Sequence, residues 1–206
     1  NMKKVLLAIL LIVLAIVGYY VYKFSTDKSG GFDGDKAEKL SANKHSAAFN
    51  NNLDAIMNEY FKMKDAFVKA DTATVKSSCS KMITLSDSLL VNDLKNDTSG
   101  VYETISPLLQ DVKSNAASLL TQTKIEEMRM DFKQVNEQLY AFLKAVKYEG
   151  KKLYWQNCPM AFGEGKDGSW ISNTDEVINP YLGNNHPEYK GTMLHCGETK
   201  DSIVAQ

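Results

Sequence analysis

Ile125-Glu-Glu-Met-Arg-Met-Asp-Phe-Lys-Gln-Val-Asn-Glu-Gln-Leu-Tyr-Ala-Phe-Leu-Lys-Ala-Val146 places apolar side chains at Ile125, Met128, Phe132, Val135, Leu139, Phe142 and Val146. The steps alternate between three and four residues, which lays one apolar stripe along a helix. Thr123 and Glu126 stand at the spacing of a capping box, so the helix is expected to begin there.

Working outward, three earlier stretches repeat this pattern. Phe49, Leu53, Ile56, Tyr60, Met63 and Phe67 form one stripe, followed by Asp71 and Thr72 as caps for the next helix. Val75, Cys79, Met82, Leu85 and Leu89 form a second, broken at Asn96 to Gly100. Ile105, Leu108, Leu109, Val112, Ala116 and Leu119 form the third. Pro107 is expected only in a first turn, with Ser106 as its cap. Four stripes with short connections predict an all-α fold with an up-down four-helix bundle over residues 45–149.

Met63, Met82, Met128 and Met130 are expected to fill the core, as is the Cys79 thiol. His45 has Phe49, not a ligand, one turn on, and reads as a surface or capping residue.

The flanks of the bundle differ in kind. Residues 25–44 are rich in Ser, Gly, Asp and Lys and predict a flexible linker. Val5 to Val21 is an uncharged apolar run behind Lys3 and Lys4, with Tyr19, Tyr20 and Tyr22 at its far end. With that aromatic flank a helix here reaches roughly 27 to 30 Å, close to a bilayer's hydrocarbon thickness. The A-x-A-like cleavage site of a secretory signal is missing after the run, so residues 1–24 are expected to be a retained transmembrane signal anchor. The leading lysines then stay inside. This predicts a single-pass inner-membrane protein with its C-terminal domain in the periplasm and the bilayer as a partner. A formal charge of −1, more acidic without Lys3, Lys4 and Lys23, argues against nucleic acid.

After Gly150 the helical period ends. Leu153-Tyr-Trp-Gln-Asn-Cys-Pro-Met-Ala-Phe162 and Met193-Leu-His-Cys-Gly197 bracket a Gly- and Pro-containing stretch, predicting a small, irregular, loop-rich Cys/Met lobe over residues 150–206, packed on the bundle. Of three cysteines, at most one pair can form within the chain. Two readings of the tail stand side by side. If its pieces meet, Cys158, Met160, Met193, Cys196 and His195 offer thiolates, thioethers and an imidazole, a soft donor set that selects Cu(I). Alternatively, an oxidising compartment favours a Cys158 to Cys196 disulfide in a lobe with little core of its own. A third option is a thiol redox function at Cys158 and Cys196, which would need a thiol pKa depressed by a nearby cation or helix N-terminus; no C-x-x-C is present. No Ser-His-Asp or phosphate-cradling pattern appears, and the chain is not expected to be an enzyme.

Tyr154-Trp-Gln-Asn-Cys-Pro-Met-Ala161, Trp170-Ile-Ser172, Ile178-Asn-Pro-Tyr-Leu-Gly183 and Met193-Leu-His-Cys-Gly197, with Met128-Arg-Met-Asp-Phe132 and Tyr60-Phe-Lys-Met-Lys-Asp-Ala-Phe-Val68, resemble an uncharacterised bacterial helical domain. That domain occurs alone or fused to adaptor proteins of copper/silver efflux systems. The resemblance implies periplasmic Cu(I) or Ag(I) handling for an efflux or cuproenzyme partner, with Cys158, Met160, Met193 and Cys196 as the positions carried over. The alternative is a non-catalytic interaction subunit of a larger membrane complex.

Overall fold

The computed structural model describes residues 45–89 and 100–205, with Tyr19 and Leu94 as isolated positions. The expected anchor and linker, residues 1–44, otherwise lie outside the described residues. Among those described, no helix is long and apolar enough to cross a membrane.

Among the described residues four helices follow one another: α1 (Ala47–Lys69), α2 (Thr72–Asp87), α3 (Val101–Thr121) and α4 (Ile125–Ala145). Each expected stripe faces inward, with Tyr60, Met63, Phe67, Val75, Cys79, Met82, Ile105, Ala116, Leu119, Phe132, Val135 and Phe142 essentially inaccessible. Cross-helix contacts give the antiparallel order. Asn52 near the start of α1 donates to Ser88 after α2 at 3.1 Å, and Ser118 near the end of α3 donates to Asp131 early in α4 at 2.9 Å. Helices α1 and α4 meet through Phe67 and Phe132, whose ring centroids are 4.6 Å apart.

Local expectations divide. Ser46 caps α1, its hydroxyl accepting from Phe49 N, and Asp71 caps α2 through Thr74 N at 3.0 Å, as its position suggests. Two other caps differ from the sequence reading. Helix α4 starts behind Lys124 without a side-chain cap, and the Thr123/Glu126 box does not form. The α3–α4 connection is instead held by Asp131, which accepts from Ser118 and from Gln122 at 2.8 Å, while Glu126 and Glu127 face the positive end of the helix dipole. Helix α3 starts at Val101 behind Gly100 in the left-handed region, so Pro107 lies inside it and Ser106 caps nothing. A proline there costs about 3 kcal/mol. The earlier start buries Val101 and Ile105, each contributing about 1.5 to 3 kcal/mol, so burial offsets the lost bond.

The all-α reading needs correction after residue 150. β1 (Leu153–Cys158) lies between β2 (Gly168–Ser172) and β3 (Glu198–Ile203), antiparallel to both. The register pairs Trp155 with Ile171 and Asn157 with Glu198, with an irregularity in the β3 pairing between Trp155 and Gln156. β2 is buried along its whole length, so its side chains show no alternation of polar and apolar. β3 is a mostly exposed edge strand rich in charge.

The sheet packs on α4: Tyr140 stacks on Trp155 at 4.3 Å, and both Tyr140 Oη and Lys144 Nζ donate to Asp201, at 2.7 and 2.9 Å. Helices and sheet form one compact unit.

Candidate functional site

The tail cysteines are positioned by strand pairing. β1 ends at Cys158, and the Asn157 to Glu198 register brings the approach to β3 alongside it. Gly197 lies at φ 138 and passes close to Asn157 O and the Trp170 ring, where a side chain would collide. Cys158 and Cys196 then face each other at a Cα separation of 5.6 Å and are joined as a disulfide across 38 residues. Cys158 is fully buried and Cys196 half-buried.

The other residues of the expected soft-donor set are not arranged as one shell. Met160 and Met193 are half-buried and pack against the hydrophobic core. Met193 shares a turn with Cys196, whose N–H donates to Met193 O at 3.0 Å. His195 is exposed, with Nδ1 2.9 Å from Val177 O. In the disulfide state the sulfurs are not thiolates, so this set does not fit Cu(I) as it stands. Among the described residues no group of three or more His, Cys, Asp or Glu side chains is placed to hold a metal.

Two readings of single residues change and a third holds. Met130 is 61% exposed and lies outside the core. His45 is buried: its N–H donates to Glu149 Oε1 at 3.3 Å, and Asn50 donates to the same carboxylate, so Glu149 latches the start of α1. Cys79 is core, as its stripe suggests, donating to Ala116 O, and burial pushes its thiol up to about 12. Such a thiol is inert.

Trp170 and Tyr181, conspicuous as large aromatics in the tail, are lobe core, but the hydrogen bonds that hold the lobe also draw on polar residues of the helices. Tyr60 Oη donates to Asn136 Oδ1 at 2.6 Å and accepts from Ile171 N at 2.9 Å. Asn136 Nδ2 donates to Tyr181 Oη at 2.9 Å, and Tyr181 Oη donates to Ser169 O at 2.5 Å. This fully buried chain of bonds ties α1 and α4 to β2 and to the Asn179–Gly183 segment. Asn179 organises that segment, its Oδ1 accepting from Tyr181 N and Leu182 N and its Nδ2 donating to Cys196 O at 2.9 Å. Beside it, Trp170 Nε1 donates to Gln156 Oε1 at 2.8 Å.

The same segment closes the end of α1. Ala70 takes a left-handed conformation at φ 57, and Asp71 N bonds back to Ala66 O. Two remaining carbonyls are taken by the lobe: Asn184 N donates to Val68 O at 2.8 Å and Asn185 Nδ2 to Lys69 O at 2.9 Å. Gly183 lies against Val68, where an added Cβ would fall 2.3 Å from its carbonyl oxygen.

The chemistry of this network is holding rather than reacting. Burial raises the Tyr60 hydroxyl pKa, and that of Tyr181 well above the usual phenol value, so neither supplies a base near neutrality. A polar residue on an apolar face was the available signal: Asn136 stands four residues after Phe132 on α4.

Residues 56–151 match the family described as a protein of unknown function (DUF3347). The matched stretch runs from within α1 to just before β1, so it is similar to an uncharacterised helical domain family and stops short of both tail cysteines. No curated protein and no solved structure matches the chain.

Proposed function

We propose that the chain is a non-catalytic interaction module, tethered to the inner membrane by Val5 to Val21 and working on the periplasmic side, where the Cys158–Cys196 disulfide closes its lobe. The disulfide carries this reading, because a crosslink between β1 and the approach to β3 suits an oxidising compartment. The remaining cysteine has a raised pKa and a core position, and the buried phenols are held protonated, which supports a binding role over thiol or acid–base chemistry. The partner is a larger membrane complex.

A second reading is redox-gated handling of Cu(I) or Ag(I) for an efflux or cuproenzyme partner. It draws on the tail pattern, from Cys158-Pro159-Met160 to Met193-x-x-Cys196, and its resemblance to domains fused to copper/silver efflux adaptors. The observation favouring it is that Cys158 and Cys196 already adjoin and Met193 lies in the Cys196 turn. Reduction would free two thiols, one of them in the same turn as Met193. Cu(I) titration of the full chain, oxidised and reduced, separates the readings. The interaction reading expects no stoichiometric binding in either state. Tight binding only after reduction, lost in Cys158→Ser and weakened in Met193→Leu, would replace it with metal handling.

A further inference from the structure

A cleft of about 400 Å³ opens beside the first half of α4, between the Ala161–Gly163 turn and the loop from Leu182 to Tyr189, and neither tail cysteine lines it. One of its walls is Arg129, only 3% exposed. Arg129 Nη2 makes a long 3.4 Å bond to Phe67 O, and Nε has no hydrogen-bond partner among the described residues. Among those residues Arg129 forms no ion pair with a carboxylate. A buried guanidinium left unpaired is costly, and an anion that reaches it recovers part of that cost. Burial lowers the Arg129 pKa, with the charge of Glu126 working against that shift.

The remaining lining narrows the ligand. Lys166 adds a second positive charge, and Glu126 and Glu188 oppose the two, so the cleft is formally balanced before anything binds. His186 adds no charge near neutrality, because burial and the Arg129 charge lower its pKa. A phosphate dianion would meet two carboxylates with no excess of positive charge. The other walls are apolar at Ala161, Phe162 and Leu182, with the exposed Met130 also lining the cleft. The volume suits a small molecule.

We propose that this cleft binds a small monocarboxylate with an apolar body, the carboxylate against the Arg129 guanidinium and the body against Phe162, Leu182 and Met130. The proposal rests on the cleft and not on either reading of the tail cysteines. Guanidinium is the donor best matched to a carboxylate, presenting parallel N–H groups in a fixed fork.

The test is titration of the full chain, carrying ¹³C-methyl methionine, with hexanoate, hexanamide and inorganic phosphate. Hexanoate is expected to shift the Met130 methyl resonance saturably, with hexanamide at least roughly tenfold weaker, as expected when a charge-assisted bond is lost. Arg129→Gln should abolish that preference, the other methionine resonances reporting whether the fold survives. Glu126→Gln spares the guanidinium and removes a repelling charge, so it should tighten hexanoate binding severalfold. Equal binding of hexanamide, saturation by phosphate but not hexanoate, or weaker hexanoate binding in Glu126→Gln would each overturn the proposal.

Discussion

The Tyr60 hydroxyl and the Asn136 carboxamide are joined by a 2.6 Å hydrogen bond at the seam between helices and sheet, and neither residue is accessible to solvent. The bond matters because each partner is also committed elsewhere, Tyr60 to Ile171 N and Asn136 to Tyr181 Oη. A polar chain of this kind stabilises only while every member is satisfied. It also ties β2 to both helices, since the oxygen that donates to Asn136 accepts from Ile171 N.

Tyr60→Phe keeps the ring packing and removes only the hydroxyl. Asn136 Oδ1 and Ile171 N–H are then buried without that partner, at a cost of about 1 to 3 kcal/mol. Urea unfolding should show a lower midpoint with an unchanged slope, and faster amide exchange at Ile171.

The disulfide closes a loop of 38 residues. In the chain-entropy treatment a loop of that size contributes about 4 kcal/mol through the unfolded state. Cys196→Ser should lower stability by up to that amount, and the β1–β3 amides should exchange faster than those of α2 and α3. A change spread evenly over the helices would mean that the crosslink supports the whole unit rather than the lobe.

These contributions were unequally legible in the sequence. The four stripes could be read because each repeats over four to six turns, long enough for the 3.6-residue period to stand out. Cys79 followed from its place in a stripe. The strands gave no such signal: β2, Gly-Ser-Trp-Ile-Ser, is buried on both faces, and β3, Glu-Thr-Lys-Asp-Ser-Ile, is an exposed edge. Helix starts depended on tertiary choices, as Pro107 and Lys124 illustrate, where burial and Asp131 overrode local capping preference. The adjacency of Cys158 and Cys196 was open to inference only as one of two alternatives. Arg129 was hidden between Met128 and Met130, where a cation next to an apolar stripe reads as solvent-facing until the lobe covers it.

Gly183→Ala tests the closure of α1 by the lobe. Its Cβ would fall 2.3 Å from Val68 O and 2.7 Å from Val68 Cα, both backbone atoms that cannot rotate away. The loop must lift, weakening the Asn184 N bond to Val68 O. A loss of about 1 to 3 kcal/mol is expected, within the range of overpacking in a tight site. Gly163→Ala, with nothing within 4 Å of the added carbon but a φ of 107 that disfavours a side chain, should show backbone strain without disturbing the Asn184 amide.

Asp201 gives the protein a specific acid sensitivity. Its bonds from Lys144 and Tyr140 lower its pKa to about 2, from an ordinary 3.8. The folded form therefore holds the carboxylate unprotonated where the unfolded chain would take up a proton. The contribution is fully present above about pH 4 and is lost as the pH falls from there through about 2. Because the side chain is half exposed, solvent screening limits it to about 0.5 kcal/mol. Asp201→Asn should remove this part of the acid-side slope, and NMR-monitored titration of Asp201 in the unmutated chain should report the lowered midpoint.

Thiol counting by mass spectrometry on the chain taken from its native compartment tests the central claim most directly. Alkylation under denaturing, non-reducing conditions is predicted to add one label, on Cys79, and full reduction three. Under native conditions Cys79 should stay unlabelled, since it is buried with its thiol pushed up to about 12. Three labels without reduction, with Cys158 and Cys196 both free, would contradict the disulfide-closed module and leave metal handling by the tail thiols as the reading to pursue.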